Sequence, residues 1–137
     1  MMIILKRIIQ LQKKKQKGAT AVEFAIVILI FVTIVFGIIE FGLLMYNQHI
    51  VTNAAREGAR FGIVIDRKPE DQIKQRVSSY ADQYLVTFGG GDPDVQVPNA
   101  CTQFGDDLSV TVEYKYNFLF LRFLEREISS TTIMKCE

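Results

Sequence analysis

The chain has 137 residues, a formal net charge of +1, 49% hydrophobic residues, no Trp, one His and two Cys. That length fits one domain plus an anchor. The charge is segregated: Lys6, Arg7, Lys13, Lys14, Lys15 and Lys17 fall within the first 18 residues with no acid among them, and the rest is acid-rich. A net basic excess confined to one end argues against nucleic acid as the main partner, and one histidine far from both cysteines leaves little for nucleophilic or zinc chemistry.

Residues 1–18 read as a basic leader. Ile4, Ile8 and Leu11 give it some helical periodicity, so a short amphipathic helix on a membrane surface is the alternative. Residues 19–46 read as a transmembrane helix. Its uncharged run, Phe24–Ile39, is 16 residues, roughly 24 Å of helix. The hydrocarbon core needs about 30 Å, so Ala19–Val22 and Phe41–Tyr46 must extend the span. Glu23 and Glu40 then stand near its two interfaces. A secretory signal is cut after its apolar region at a small-residue site. Here Glu40-Phe-Gly-Leu-Leu-Met follows instead, and the small residues Gly18 and Ala19 precede the run. With the lysines on the inside, the N-terminus is cytoplasmic and the rest of the chain lies outside.

An ionisable group in a membrane segment is a functional hypothesis by default. Glu23 has two readings: an interfacial acid solvated by headgroups and the nearby lysines, or an acid with a use. Cleavage after Gly18 would create an amine on Ala19, four residues before Glu23, and that amine and the carboxylate of neighbouring subunits would pair and set their axial register.

Residues 47–65 continue the helix outward. Ala54, Gly58 and Gly62 recur four apart, and small residues at that spacing let another backbone approach. The partner is either a second helix or this chain's own sheet. Asp66-Arg-Lys-Pro69 ends the helix, with Pro69 suited to a first helical position and Glu70 and Asp71 to a first turn. Ile73, Val77, Tyr80 and Tyr84 form one apolar stripe of a second helix. Gly89-Gly-Gly-Asp-Pro93 is a loop, without the Gly-Lys-Ser/Thr of a phosphate site.

Leu108, Val110, Val112, Tyr114 and Tyr116 alternate with polar residues, a half-buried strand. Asp94–Val97 and Ile128–Cys136 are weaker strands. The fold class is therefore α+β: a long N-terminal helix leading into a small domain at 66–137, in which a second helix packs on a short antiparallel sheet. Phe118-Leu-Phe-Leu-Arg-Phe-Leu124 is either core or a surface that meets the bilayer or a neighbouring subunit. Cys101 and Cys136, both in the outside portion, form a disulfide or stay as buried free thiols. Asp92, Asp94, Asp106 and Asp107 lack the spacing of a calcium loop and read as solvated acids. His49 reads as an interfacial helix residue. No cofactor, metal or small-molecule substrate is expected.

Gly18-Ala-Thr-Ala-Val-Glu23-Phe resembles the class III leader site of type IV pilin-like proteins, in which a prepilin peptidase cuts after glycine and leaves glutamate fifth in the mature chain. Ala21-Val-Glu-Phe-Ala25, Gly37-Ile-Ile-Glu-Phe-Gly42 and Asn53-Ala-Ala-Arg-Glu-Gly-Ala-Arg60 are similar to the TadE-like family of Flp/Tad pilus assembly proteins. The resemblance covers about residues 17–62. It implies a non-catalytic minor pilin, or pseudopilin, of a bacterial cytoplasmic membrane, partnered by the prepilin peptidase, other pilins and the assembly platform, with a place in the extracellular pilus possible. Gly18 and Ala19 would flank the cut and Glu23 would be the assembly glutamate. Larger TadG-like members and the much shorter major Flp pilins fit this length less well. The rival reading is an uncleaved single-pass binding or sensor protein.

Overall fold

In the computed structural model, the described backbone covers residues 2–64, 68–89, 91–120 and 124–137, with side chains described from residue 18 onward. Five elements follow in chain order: α1 (Met2–Gly62), α2 (Glu70–Tyr84), β1 (Asp94–Asn99), β2 (Asp107–Asn117) and β3 (Glu125–Lys135). Residues 1–39 and 40–137 form two separate units.

The first unit is the N-terminal part of α1. From Gly18 to Ile39 its residues are exposed, apart from a half-buried Val35. Large apolar side chains such as Phe24, Leu29, Phe31 and Ile38 face outward. Within the uncharged stretch Phe24–Ile39 the one hydroxyl is satisfied in the helix, Thr33 Oγ1 donating to the Leu29 carbonyl at 2.8 Å. The segment 18–62 is long and apolar enough to cross a membrane, with a mean hydropathy of 3.0 over its most apolar window.

The second unit is a sheet covered by two helices. The strand order is β1-β2-β3, antiparallel throughout. The period of two in β2 turns Leu108, Val110, Val112, Tyr114 and Tyr116 to the covered face, where all five are buried. Val95 and Val97 of β1 and Ile128 of β3 join them. α1 contributes Val51, Ala54, Ala55 and Ala59, and α2 contributes Ile73, Val77 and Ala81. Burying a side chain of Leu or Ile size contributes about 1.5–3 kcal/mol, and this one shared core includes both helices and all three strands.

Local chemistry sets the element ends. Pro69 is the N-cap of α2, one position before the first helical residue expected for it, because its ψ of 149° is extended. Its carbonyl still accepts from Gln72 and Ile73, and Glu70 and Asp71 occupy the first turn. The buried stripe of α2 runs Ile73–Val77–Ala81 rather than out to Tyr84, which is exposed and packs tilted against Tyr80, ring centres 4.9 Å apart. The expected helix stop at Asp66–Arg67 lies outside the described residues; α1 ends at Gly62. In β1 the register shifts between Gln96 and Asn99, across Pro98, which has no N–H for the ladder.

Cys101 and Cys136 are joined in a disulfide. A closed loop of 35 residues limits the unfolded chain by about 3–4 kcal/mol on the loop-entropy account. Asp106 organises the same corner: its Oδ2 accepts from Thr102 N, Thr102 Oγ1 and Gln103 N. Gly105 takes a φ of +86°, open to glycine, and its N–H donates to the Cys136 carbonyl at 2.9 Å. Asp106, expected as a solvated acid, is instead the residue that holds this turn.

Candidate functional site

The residues expected to act are strung along α1, and they fall into two kinds. Gly18, Ala19 and Glu23 lie on exposed helical backbone. Nothing stands within 4 Å of a methyl group placed on Gly18, so no packing contact restrains that position. The side chains of Lys13–Lys17 lie outside the described residues.

Further along, α1 carries a stripe that turns inward: Glu40, Asn47, Val51, Ala54, Gly58 and Gly62, spaced by three, four or seven. Two polar residues on a core-facing stripe need partners. Glu40 is 7% exposed, and its carboxylate accepts three hydrogen bonds. The Tyr116 hydroxyl donates at 3.1 Å, Leu119 N at 2.8 Å and Phe120 N at 3.1 Å. All three partners are donors, which suits an acceptor-only carboxylate. Burial first, then the hydrogen bond to Glu40 and its charge, push the Tyr116 hydroxyl up to about 12. Asn47 is fully buried. It donates from Nδ2 to the Val86 carbonyl at 2.8 Å and accepts from Val86 N at 3.1 Å, pairing with the chain just after α2 as a strand would. Tyr46 adds a bond from its hydroxyl to the Tyr84 carbonyl at 3.1 Å.

The Asn53–Arg60 stretch resolves into an inner and an outer face. Ala54, Ala55, Gly58 and Ala59 are buried, whereas Arg56 and Arg60 are exposed. A methyl group on Gly58 would collide with Val77 Cγ2, and one on Gly62 would come within 2.6 Å of Leu108 and 2.8 Å of Ile73. Of the two partners left open for these small residues, the chain's own α2 and β2 occupy the face. Glu57 receives Arg76 Nη2 at 2.7 Å and Nε at 3.2 Å, tying α2 to the same helix.

Residues 18–60 match the family model of TadE-like protein. The TadE-like match starts on the glycine of the expected cut and ends on Arg60, so it includes the apolar span, Glu40 and most of the small-residue face. It points to a Tad pilus-related function for the part of the chain that carries α1. No curated protein and no solved structure matches the chain.

The described residues hold no group of three or more His, Cys, Asp or Glu side chains that could bind a metal ion. His49 is exposed on α1, and both cysteines are bridged. Asp107 pairs with Lys135 at 2.8 Å. Burial pushes the Tyr114 hydroxyl up, and that hydroxyl has no hydrogen-bond partner among the described residues. Sequence reasoning missed Glu40, Asn47 and Asp106 as organising residues. The signal for the first two was available: both lie on the same stripe as Val51 and Ala54, where an acid and an amide need partners.

Proposed function

We propose that the chain is a TadE-like minor pilin, or pseudopilin, that takes part in assembly of a Flp/Tad (type IVc) pilus and has no catalytic activity. The observation that carries this reading is the position of the TadE-like match, which opens at Gly18 and runs through the apolar span. In this reading a prepilin peptidase cuts between Gly18 and Ala19, the helix sits in the bacterial cytoplasmic membrane with its N-terminus inside, and the chain beyond the span lies outside. Glu23, fifth after the cut and exposed on the helix, pairs with the new amine of a neighbouring subunit. The other partners are the pilins and the assembly platform.

The experiment expresses the chain with and without a prepilin peptidase and reads the N-terminus of the membrane-bound product. A mature start at Ala19, lost in Gly18→Ala, supports the proposal. A methyl group on Gly18 meets nothing within 4 Å, so that variant alters the cut site without crowding a neighbour. An uncleaved chain beside a cleaved control prepilin overturns the pilin reading and favours a single-pass binding or sensor protein. Glu23→Ala is expected to leave cleavage and insertion intact and to reduce pilus output.

A further inference from the structure

We propose that the turn after β2 is a second lipid contact: Phe120 and Leu124, together with Phe41 of α1, sit among the headgroups of the outer leaflet, and Glu40 holds the turn there. This rests on α1 being a membrane anchor and goes beyond it by giving the folded domain a membrane-facing surface of its own.

The composition of the turn is the first support. Turns elsewhere in the domain are polar or glycine-rich, as at Gly89–Asp92 and Thr102–Asp107. The segment from Phe118 to Leu124 has six apolar residues of seven. Its described side chains divide in function. Phe118 packs on the core, edge-on to Tyr116 at 5.3 Å between ring centres. Phe120 and Leu124 remain 45% and 43% exposed. Core packing therefore accounts for Phe118 and leaves Phe120 and Leu124 with part of their apolar surface exposed.

Position is the second support, and it selects the occupant. Leu119 N and Phe120 N donate directly to Glu40, and Glu40 is the residue that immediately follows the uncharged run Phe24–Ile39. Phe41, the next residue, is 60% exposed. Phe120, whose N–H donates to Glu40, and Phe41, the residue after Glu40 in α1, thus both expose apolar surface close in the chain or by hydrogen bond to the carboxylate that follows the uncharged run. Phe and Leu are among the side chains that interfacial segments bury at the headgroup–acyl boundary. Backbone N–H groups near hydrocarbon need an acceptor, which Glu40 supplies to two of them. Tyr116 and the turn in return shield Glu40, an acid that lipid would penalise.

The chain has no tryptophan, so single-tryptophan variants report position without background. The full chain is reconstituted in phosphatidylcholine vesicles carrying doxyl groups at shallow or deep acyl positions. Phe120→Trp and Leu124→Trp probe the turn, Phe31→Trp probes the span, and Phe104→Trp, at a site 89% exposed, probes water. The turn probes are expected to emit at shorter wavelength than Phe104→Trp and to lose intensity to shallow doxyl lipid more than to deep, within about 5–10 Å of the headgroup boundary. Glu40→Ala in the Phe120→Trp background is expected to abolish that depth preference. Turn probes that ignore doxyl lipid while Phe31→Trp is quenched overturn the proposal, and a blue-shifted but unquenched turn means that a second copy of the chain covers it. A Phe31→Trp that is itself unquenched shows instead that the anchor reading has failed.

Discussion

Glu40 is a glutamate rather than a glutamine because everything around it donates. Glu40→Gln turns an amide N–H₂ toward one of three donors, and Glu40→Ala leaves the Tyr116 hydroxyl and two backbone N–H groups without their acceptor. Urea unfolding of the detergent-solubilised protein is expected to show a loss of about 3 kcal/mol for Glu40→Ala and a smaller loss for Glu40→Gln. Tyr116 adds a pH signature. Its hydroxyl is raised from an ordinary value of 10.0 to about 12. Below pH 10 both the folded and the unfolded chain keep that proton, and the stabilisation is complete. Between pH 10 and about 12 the unfolded chain releases it first, so stability falls as pH rises through that window. Tyr116→Phe removes this contribution, and the measured decline across the window is expected to be shallower than in the wild type. The need for an explanation of Glu40 was legible in the sequence. Its answer was not, because Tyr116 and Leu119 stand 76 and 79 residues away along the chain, and no local pattern links them.

At the level of elements, regular periodicity was the readable part. The alternation in β2 gave its covered face residue by residue, and the 3.6-residue stripe gave α2, because each pattern is a direct imprint of burial. The small residues of α1 were readable only as a demand for close approach, since the same spacing serves a neighbouring helix or the chain's own sheet. Val77 and Ile73 from α2 and Leu108 from β2 fill that face. Gly58→Ala is therefore expected to destabilise the domain by about 1–3 kcal/mol through overpacking, although alanine is the better helix former. Thermal denaturation distinguishes the outcomes: an unchanged or raised midpoint means that the face is not closed by α2. The exit of α2 shows the other limit of sequence reading. Its hold on α1 is Asn47 bonded to the Val86 backbone, and a side chain that imitates a strand partner carries no signature of its own.

Over the whole molecule, the TadE-like match is confined to residues 18–60, while the sheet comes after it. The matched segment nevertheless supplies structure to the sheet domain through Glu40, Asn47 and the alanine-glycine face. A change in that segment therefore reaches both membrane behaviour and domain stability, and variants there need a folding readout beside any pilus assay. The disulfide adds a separate consequence. Cys136 follows Lys135, the last residue of β3, which is paired with Asp107, and it must meet Cys101 on one side of the sheet. A slip of β3 by one residue would turn Cys136 to the opposite face and leave two unpaired thiols. The bond therefore ties the residue after β3 to the β1–β2 connection, so a shift of the last strand against β2 would have to strain or break it.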